Sequence, residues 1–401
     1  MATIAVLGTL DSKGEEHAFL AALIQQRGHQ ALLIDVGTVG PPTVVPAVTR
    51  EEVAATAGLD LAKLMAKKDR GECVIAMTQA APRLLAKLVA EGKIQGVISL
   101  GGGGGTAIAT AAMRALPLGF PKLMVSTLAA GNVAPYLGTK DITMMPSIAD
   151  VAGLNRLSRV IFTRAAGAIC GMVESEPVLG AAKPLVVASM FGNTTACISE
   201  AKKVLEAAGY EVLVFAATGA GGRIMESIIE SGIVAGVLDV TTTEWADELV
   251  GGVLTAGPER LDAVAKARVP AVIAPGCLDM VNFGERASVP ERFAGRLFYQ
   301  HNPQITLMRT SVAESQQLGK IIAEKINRYT APAALMIPRR AISVISAPGQ
   351  PFHDAAADEA LFSTLKAETK LPVEEFDLEI NQPEFAQACA RKLIGLMQAQ
   401  R

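Results

Sequence analysis

The sequence predicts an α/β fold built as two doubly wound parallel-sheet lobes, and three observations carry that expectation. Short runs rich in Val and Ile alternate with longer stretches of helical period. The runs are apolar on both sides, as strands are when helices cover both faces of a parallel sheet. The pattern then restarts. An apolar run at 4–7, a Gly/Thr loop, a helix, Gly28-His29 and a run at 31–35 recur as 184–188, a Gly/Thr loop, a helix, Gly209-Tyr210 and 211–215. Gly28 and Gly209 are 181 residues apart, as are Ile4 and Leu185. We read a structural duplication into two Rossmann-like lobes.

Taken in order, the first lobe offers strands at 4–7, 31–35, 73–76, 96–100 and 123–126, with helices at 15–26, 81–90 and 107–116 between them. The segment 174–183, with Pro177, Gly180 and the adjoining Pro184, marks the boundary and gives lobes at 1–178 and 179–401. In the second lobe a helix covers 199–208, and 233–237 (IVAGV) resembles 94–98 (IQGVI), each running into a polar loop. After Ala331-Pro332, a strand at 341–345, a helix at 358–367, a short strand at 373–378 and a closing helix at 384–398 extend this lobe. The other place for the closing helix is across the first lobe.

Half of the 401 residues are hydrophobic and 19% are charged, which excludes a disordered chain and supplies a large core. A formal net charge of −2 with 4% aromatics gives no basic, ring-bearing surface for nucleic acid. An anionic partner must therefore be held by local chemistry. Cys73, Cys170, Cys197, Cys277 and Cys389 are scattered without a CxxC pair and read as reduced thiols. No secretory leader pattern opens the chain, and Gly, Thr or a charge interrupts each apolar run before the roughly 18 residues of a membrane helix. A cytoplasmic protein without membrane contact is expected.

The strongest chemical signal is Gly101-Gly102-Gly103-Gly104-Gly105-Thr106, between a strand and the helix that it opens. Consecutive glycines let backbone N–H groups converge on one point, and the helix dipole behind them favours an anion, most often phosphate. The run is neither GxGxxG nor a P-loop. A flexible turn is the plainer account, weakened by the roughly 0.5–1 kcal/mol of ordering entropy that each glycine costs relative to Ala. Thr106 suits a cap or a phosphate contact.

After the first strand, Gly8-Thr9-Leu10-Asp11-Ser12-Lys13-Gly14 offers the Thr9 hydroxyl, an Asp11 carboxylate suited to Mg²⁺ or ribose, and Lys13 for phosphate. Ser12 and Glu15 fit a capping box. Ser126, Thr127 and Gly131 follow a later strand, with 137–143 (LGTKDIT) soon after. Small polar residues there suit a phosphate or sugar pocket, although ordinary loops look alike.

Four strand ends of the second lobe carry Gly, hydroxyl or acid residues: 191–195, 218–223, 239–244 and 275–279. Caps and turns explain any one of these better than all four. A second, small anionic ligand is expected here, clamped by Arg223, with Glu244 and Asp279 as the candidate catalytic groups and Glu244 as base or metal ligand. Cys277 has no recognisable base among His17, His29, His301 and His353 and reads as a buried structural thiol. His301-Asn302-Pro303 and Arg309 flank an apolar stretch at 305–308 and suit a pocket or a turn equally. No His/Cys/Asp/Glu set has zinc spacing.

Six phrases carry a resemblance: 8–16 (GTLDSKGEE), the glycine run, 138–154 (GTKDITMMPSIADVAGL), 217–227 (ATGAGGRIMES), 238–252 (LDVTTTEWADELVGG) and 301–310 (HNPQITLMRT). They resemble the ATP-binding family named for the tomato mosaic virus resistance protein, whose bacterial members form an uncharacterised protein family. The resemblance spans nearly the whole chain. It implies two Rossmann-like subdomains, ATP with Mg²⁺, and a homodimer. It also implies a separate TIM-barrel partner, because the plant protein joins this unit to a barrel that this chain lacks. It implies no reaction. The expectation is an ATP- and Mg²⁺-binding enzyme acting on a small anionic metabolite in the second lobe or between the lobes. The alternative is a non-catalytic nucleotide-binding regulatory or assembly module.

Overall fold

Alternation along β1 (Thr3–Gly8) sets the layers of the first unit. Ile4 and Val6 point to one face and Ala5 and Leu7 to the other, and each pair joins a different apolar core. The computed structural model describes residues 1–178 and 180–400. The chain divides into Met1–Leu179 and Gly180–Arg401. After β1 the first unit runs α1 (Leu10–Gln26), β2 (Gln30–Asp35), α2 (Arg50–Ala55), α3 (Leu61–Ala66), α4 (Arg70–Ala90), β3 (Gly96–Gly101) and α5 (Gly103–Arg114). It closes with β4 (Lys122–Ser126), α6 (Ala134–Leu137), β5 (Thr143–Pro146) and α7 (Arg156–Glu174). The strands are parallel, in the order β2-β1-β3-β4-β5. α4 and α5 cover one face, with Ala5, Leu7, Val97 and Met124 beneath them. α1 and α7 cover the other, over Ile4, Val6, Ile98 and Leu123. The order reverses direction between β1 and β3, the switch point where ligands sit in doubly wound sheets.

The strand expected at 73–76 lies inside α4. A short apolar run does not distinguish a strand from a buried helix. The wider spacing does: Cys73, Ala76, Met77, Ala80, Ala81, Leu84, Leu85 and Leu88 form one buried stripe. The Asp69 carboxylate caps the helix by accepting from the Glu72 N–H. By length and composition alone α4 is long and apolar enough to cross a membrane, contrary to the reading of its sequence. In this fold its stripe lies on the sheet and on α5.

The second unit runs β6 (Leu185–Met190), α8 (Thr195–Ala207), β7 (Glu211–Ala216), α9 (Ala220–Glu230), β8 (Val234–Thr241), α10 (Glu244–Val250), α11 (Ala263–Ala267) and β9 (Ala271–Gly276). Next come β10 (Met280–Phe283), β11 (Phe298–Asn302), β12 (Ile305–Arg309) and α12 (Val312–Ile326). β13 (Ala333–Pro338), α13 (Ala355–Glu368), β14 (Val373–Phe376) and α14 (Pro383–Ala399) complete it. Its main sheet is parallel, in the order β14-β13-β9-β8-β6-β7. With β6, β7, β8 and β9 set in place of β1, β2, β3 and β4, the strand order of the first unit repeats. The duplication is therefore one of topology.

Two features depart from the sequence reading. A separate antiparallel sheet, β10-β12-β11, is inserted after β9. The strand expected at 341–345 is irregular chain, and the preceding β13 takes the sheet position. Ala341 and Ile342 are buried, and only Ala341 makes a β-bridge, an isolated one to Glu379, so the apolarity of this run reports burial more than strand pairing. The closing helix α14 packs within its own unit, its Phe385, Cys389 and Leu393 meeting Val186 and Leu238.

Candidate functional site

Because the five strands of the first sheet are parallel, the loops that leave them gather at one edge, where they enclose a cavity of about 520 Å³. Every strand contributes to its lining. Thr9, Asp11, Ser12 and Lys13 follow β1, Thr38 and Val39 follow β2, and Gly102 to Gly105 follow β3. Thr127 follows β4, and Ile148, Ala149 and Asp150 follow β5, while Arg70 enters from the start of α4.

Gly102 is extended and precedes α5 without any side-chain cap. Thr106 N–H donates to the Gly102 carbonyl at 2.8 Å. The N–H groups of Gly103, Gly104 and Gly105 belong to the first helical turn, which lacks intrahelical acceptors. A Cβ added at Gly103 would meet nothing within 4 Å. At Gly104 it would lie 3.7 Å from Val74 Cγ2, and at Gly102 3.7 Å from Thr127 Oγ1, both ordinary contacts. None of the three has a positive φ. Neither packing nor backbone conformation requires glycine there. Gly101 differs, since its Cβ would come within 3.2 Å of Gly105 Cα.

Thr106 and Ser126 are fully buried, and their hydroxyls bond each other at 2.7 Å. Beneath the loop they tie the start of α5 to β4, and although the sequence reading placed both at the ligand, neither lines the cavity. Gly131 also lies outside the lining, its N–H turned to the Leu128 carbonyl in a local turn.

Asp11 Oδ2 accepts from Val39 N–H at 2.7 Å and Gly40 N–H at 3.3 Å, which holds the loop after β2 against the cavity. The Lys13 ammonium donates to the Val151 carbonyl, linking the β1 and β5 loops. No Ser12/Glu15 capping box forms, because α1 starts earlier, at Leu10. The Ser12 hydroxyl instead bonds Thr9 Oγ1 at 3.1 Å.

Two buried groups support these loops from below. Asp35 Oδ1 accepts from the N–H groups of Leu10 and Gly37, and burial pushes its carboxyl up. His17 is fully buried, and desolvation lowers its pKa. Its Nδ1 lies 2.6 Å from the Lys13 carbonyl, which can only accept, so Nδ1 carries the proton. Nε2 then accepts from Leu100 N–H at 3.4 Å. The ring fills the space beside Gly8, where a Cβ would lie 2.1 Å from Nε2.

Sequence reasoning missed Arg70, Asp150 and Ile148. Arg70 makes no ion pair among the described residues, and the signal that places it is the Asp69 cap. Assigning 73–76 to a strand hid that helix start.

The corresponding edge of the second sheet is closed by its own charges. Glu244 Oε1 accepts from Gly219 N–H and Gly222 N–H, and Oε2 accepts from Arg260 Nε at 2.7 Å. The Arg260 fork grips Asp239 at 2.6 and 2.7 Å, and Nη1 also reaches Glu226 at 2.9 Å. Arg260, Asp239 and Glu244 are each 1% exposed. The glycines here are sterically required, unlike those of the first unit. A Cβ on Gly222 would lie 2.2 Å from Glu244 Oε2, one on Gly221 1.8 Å from the Ala216 carbonyl, and Gly219 has φ +80.

Arg223 donates to the Thr255 carbonyl at 2.9 Å. Asp279 is fully buried, its Oδ2 accepting from Ser343 Oγ at 2.7 Å, and burial pushes its carboxyl up. Arg223, Glu244 and Asp279 thus have separate partners and do not form the expected anion clamp with its catalytic acids. Cys277 is buried, with φ +60 and a thiol pushed well up by burial. Arg309 is also interior, pairing with Asp358. Among the described residues no group of three or more His, Cys, Asp or Glu could hold a metal by itself.

Comparison with known proteins agrees along the whole length. The model of the uncharacterised protein family UPF0261, N-terminal domain, matches residues 2–177, and that of its C-terminal domain matches residues 183–397. A UPF0261 protein of Clostridium tetani is 50% identical and covers 98% of this chain and 99% of its own. One of Rhizobium meliloti is 46% identical, covering 97% of each chain. The ToMV susceptible protein tm-1(GCR26) of Solanum lycopersicum is 36% identical over 95% of this chain and 54% of its own length.

Proposed function

The chain belongs to the uncharacterised protein family UPF0261, and on that premise we propose that its N-terminal unit binds ATP with Mg²⁺. The observation that carries the reading is the set of glycines at 102, 103 and 104, which the fold does not need, opening α5 onto the cavity. Phosphate oxygens would meet the N–H groups of the first turn of α5. Lys13 and Arg70 supply positive charge at the same cavity. Mg²⁺ commonly takes one or two protein carboxylates and completes its shell with phosphate oxygens and water. Asp11, on the lining of the cavity, would be its protein ligand.

The second unit favours a nucleotide-binding regulatory or assembly module over an enzyme with a substrate in that unit. Its candidate acid Glu244 is committed to Arg260, and Asp279 to Ser343. As a module, the chain would act as a homodimer with a separate TIM-barrel protein. Calorimetric titration of the full chain with ATP and Mg²⁺, paired with a turnover assay, tests the reading. Saturable binding without hydrolysis is the expected result. No heat of binding would overturn the nucleotide site, and rapid turnover by the chain alone would overturn the module.

A further inference from the structure

We propose that Ile148 is the specificity residue of this cavity, packing against the flat apolar face of the nucleotide base. The inference rests on the nucleotide reading and adds the end of the ligand that the phosphate loop does not hold. Ile148 is the centre of a three-residue turn, in which Ala149 N–H donates to the Ser147 carbonyl at 2.7 Å. Its φ is +65. Such a turn is rare and strained, and a β-branched residue at positive φ is a true outlier. The turn is held from both sides. Ser147 Oγ donates to the Ala149 carbonyl at 2.6 Å, and Ser147 N–H donates to Ser126 of β4 at 3.1 Å.

The same kind of turn occurs before α9, where Ala220 N–H donates to the Thr218 carbonyl and the central residue is Gly219, at φ +80. Glycine makes that turn without strain. What isoleucine adds at 148 is only its side chain, and that side chain contributes little to the core, being 76% exposed. Residues held in strained backbone concentrate at ligand clamps. Val39, 72% exposed, is a second unburied aliphatic group on the same lining. An aliphatic pair beside a phosphate-type loop fits a ligand with an anionic end and a flat apolar end. A nucleoside triphosphate has both, whereas a simple phosphate or carboxylate metabolite has only the first.

Ile148→Asn removes the apolar face, and it also removes the β-branch that is most crowded at positive φ. Ile148→Val keeps both the face and the strain. The experiment measures dissociation constants for ATP and for inorganic tripolyphosphate, together with Tm and solution mass, on the full chain. The Asn variant is expected to bind ATP about tenfold more weakly, to bind tripolyphosphate unchanged, and to stay folded, with Tm as the check. The Val variant should bind ATP within about twofold of the parent. An Asn variant that binds ATP like the parent, or that loses ATP and tripolyphosphate alike, overturns the base contact and leaves the phosphate site standing. A change of mass with unchanged ATP affinity would also overturn it, by making Ile148 a subunit contact. A parent chain that binds neither ligand removes the nucleotide reading as well.

Discussion

Glu244 Oε1 accepts the backbone N–H of Gly222 at 3.1 Å, so the opening turn of α9 is occupied by an anion from its own unit. Gly219 N–H joins it at 2.7 Å. The same motif, a glycine-rich loop leading from a parallel strand into a helix, therefore appears twice with opposite outcomes. In the second unit the partner is internal and the glycines make room for it. In the first unit the loop faces a cavity.

Removing the internal anion should damage the second unit severely. Glu244→Ala leaves Arg260 short of one buried partner and two glycine N–H groups without an acceptor, a loss of about 3–5 kcal/mol. Glu244→Gln retains a carbonyl for those N–H groups and should cost less. Chemical denaturation of both variants checks the ranking, and an equal loss would point to lost charge alone.

The glycines of the first unit should behave in the reverse way. Gly103→Val with Gly104→Val places side chains in the cavity without a clash in the fold. Valine is a better helix former than glycine by a few tenths of a kcal/mol. The double variant should keep or slightly gain stability and lose ATP binding by more than about a hundredfold. Calorimetry on a variant shown to be folded decides it, and unchanged affinity would remove this loop from the site.

Much of this fold was legible because its strands are buried on both faces. Residues 4–7, 96–100 and 123–126 are short, doubly apolar and bounded by turns, and each is a strand of the first sheet. Residues 73–76 carry the same local signal, and only the wider spacing of Ala80, Leu84 and Leu88 separates helix from strand. The antiparallel sheet at β10, β12 and β11 gave one apolar run, 305–308, with partners too irregular to read. The candidate site was partly visible. Gly102, Gly103, Gly104, Asp11 and Lys13 line the cavity, but sequence could not tell a glycine that opens onto a cavity from one that makes room for Glu244. Ile148 gave no local signal at all, because its backbone conformation is imposed by the turn around it.

His17 gives the first unit a sensitivity to acid. Burial lowers its pKa from the usual 6.5, and protonation would convert Nε2 from an acceptor of Leu100 N–H into a donor facing it. The unfolded chain takes up a proton as pH falls below about 6.5, while the folded ring resists. The stability contributed by neutral His17 is present above that pH and is lost as pH falls below it. NMR titration should show a neutral His17 imidazole at pH values near 6. A ring titrating at 6.5 or higher would contradict the assignment.

Asp247 should give the second unit the opposite dependence. Burial raises its carboxyl from 3.8 to about 7, although Oδ2 accepts from Asn282 Nδ2 at 2.7 Å and Oδ1 from Asn282 N–H at 3.0 Å. In the folded chain the proton is held up to about 7, whereas the unfolded chain releases it near 3.8. Between those values the folded state binds more protons, so the stabilisation present at low pH is lost as pH rises through 7. Asp358, raised to about 6, acts in the same direction, so removing Asp247 should reduce the slope without abolishing it. Asp247→Asn is a suitable test because it cannot ionise. Its new amide needs an acceptor, and Asn282 Oδ1 is buried without a partner among the described residues. Rotation of the Asn282 amide would supply that acceptor and keep the pair bonded. The variant should match the parent near pH 5 within about 1 kcal/mol and exceed it at pH 8 by about 1–3 kcal/mol. Urea denaturation at the two pH values measures both quantities. Parallel losses in parent and variant between pH 5 and 8 would assign the titration to another carboxyl.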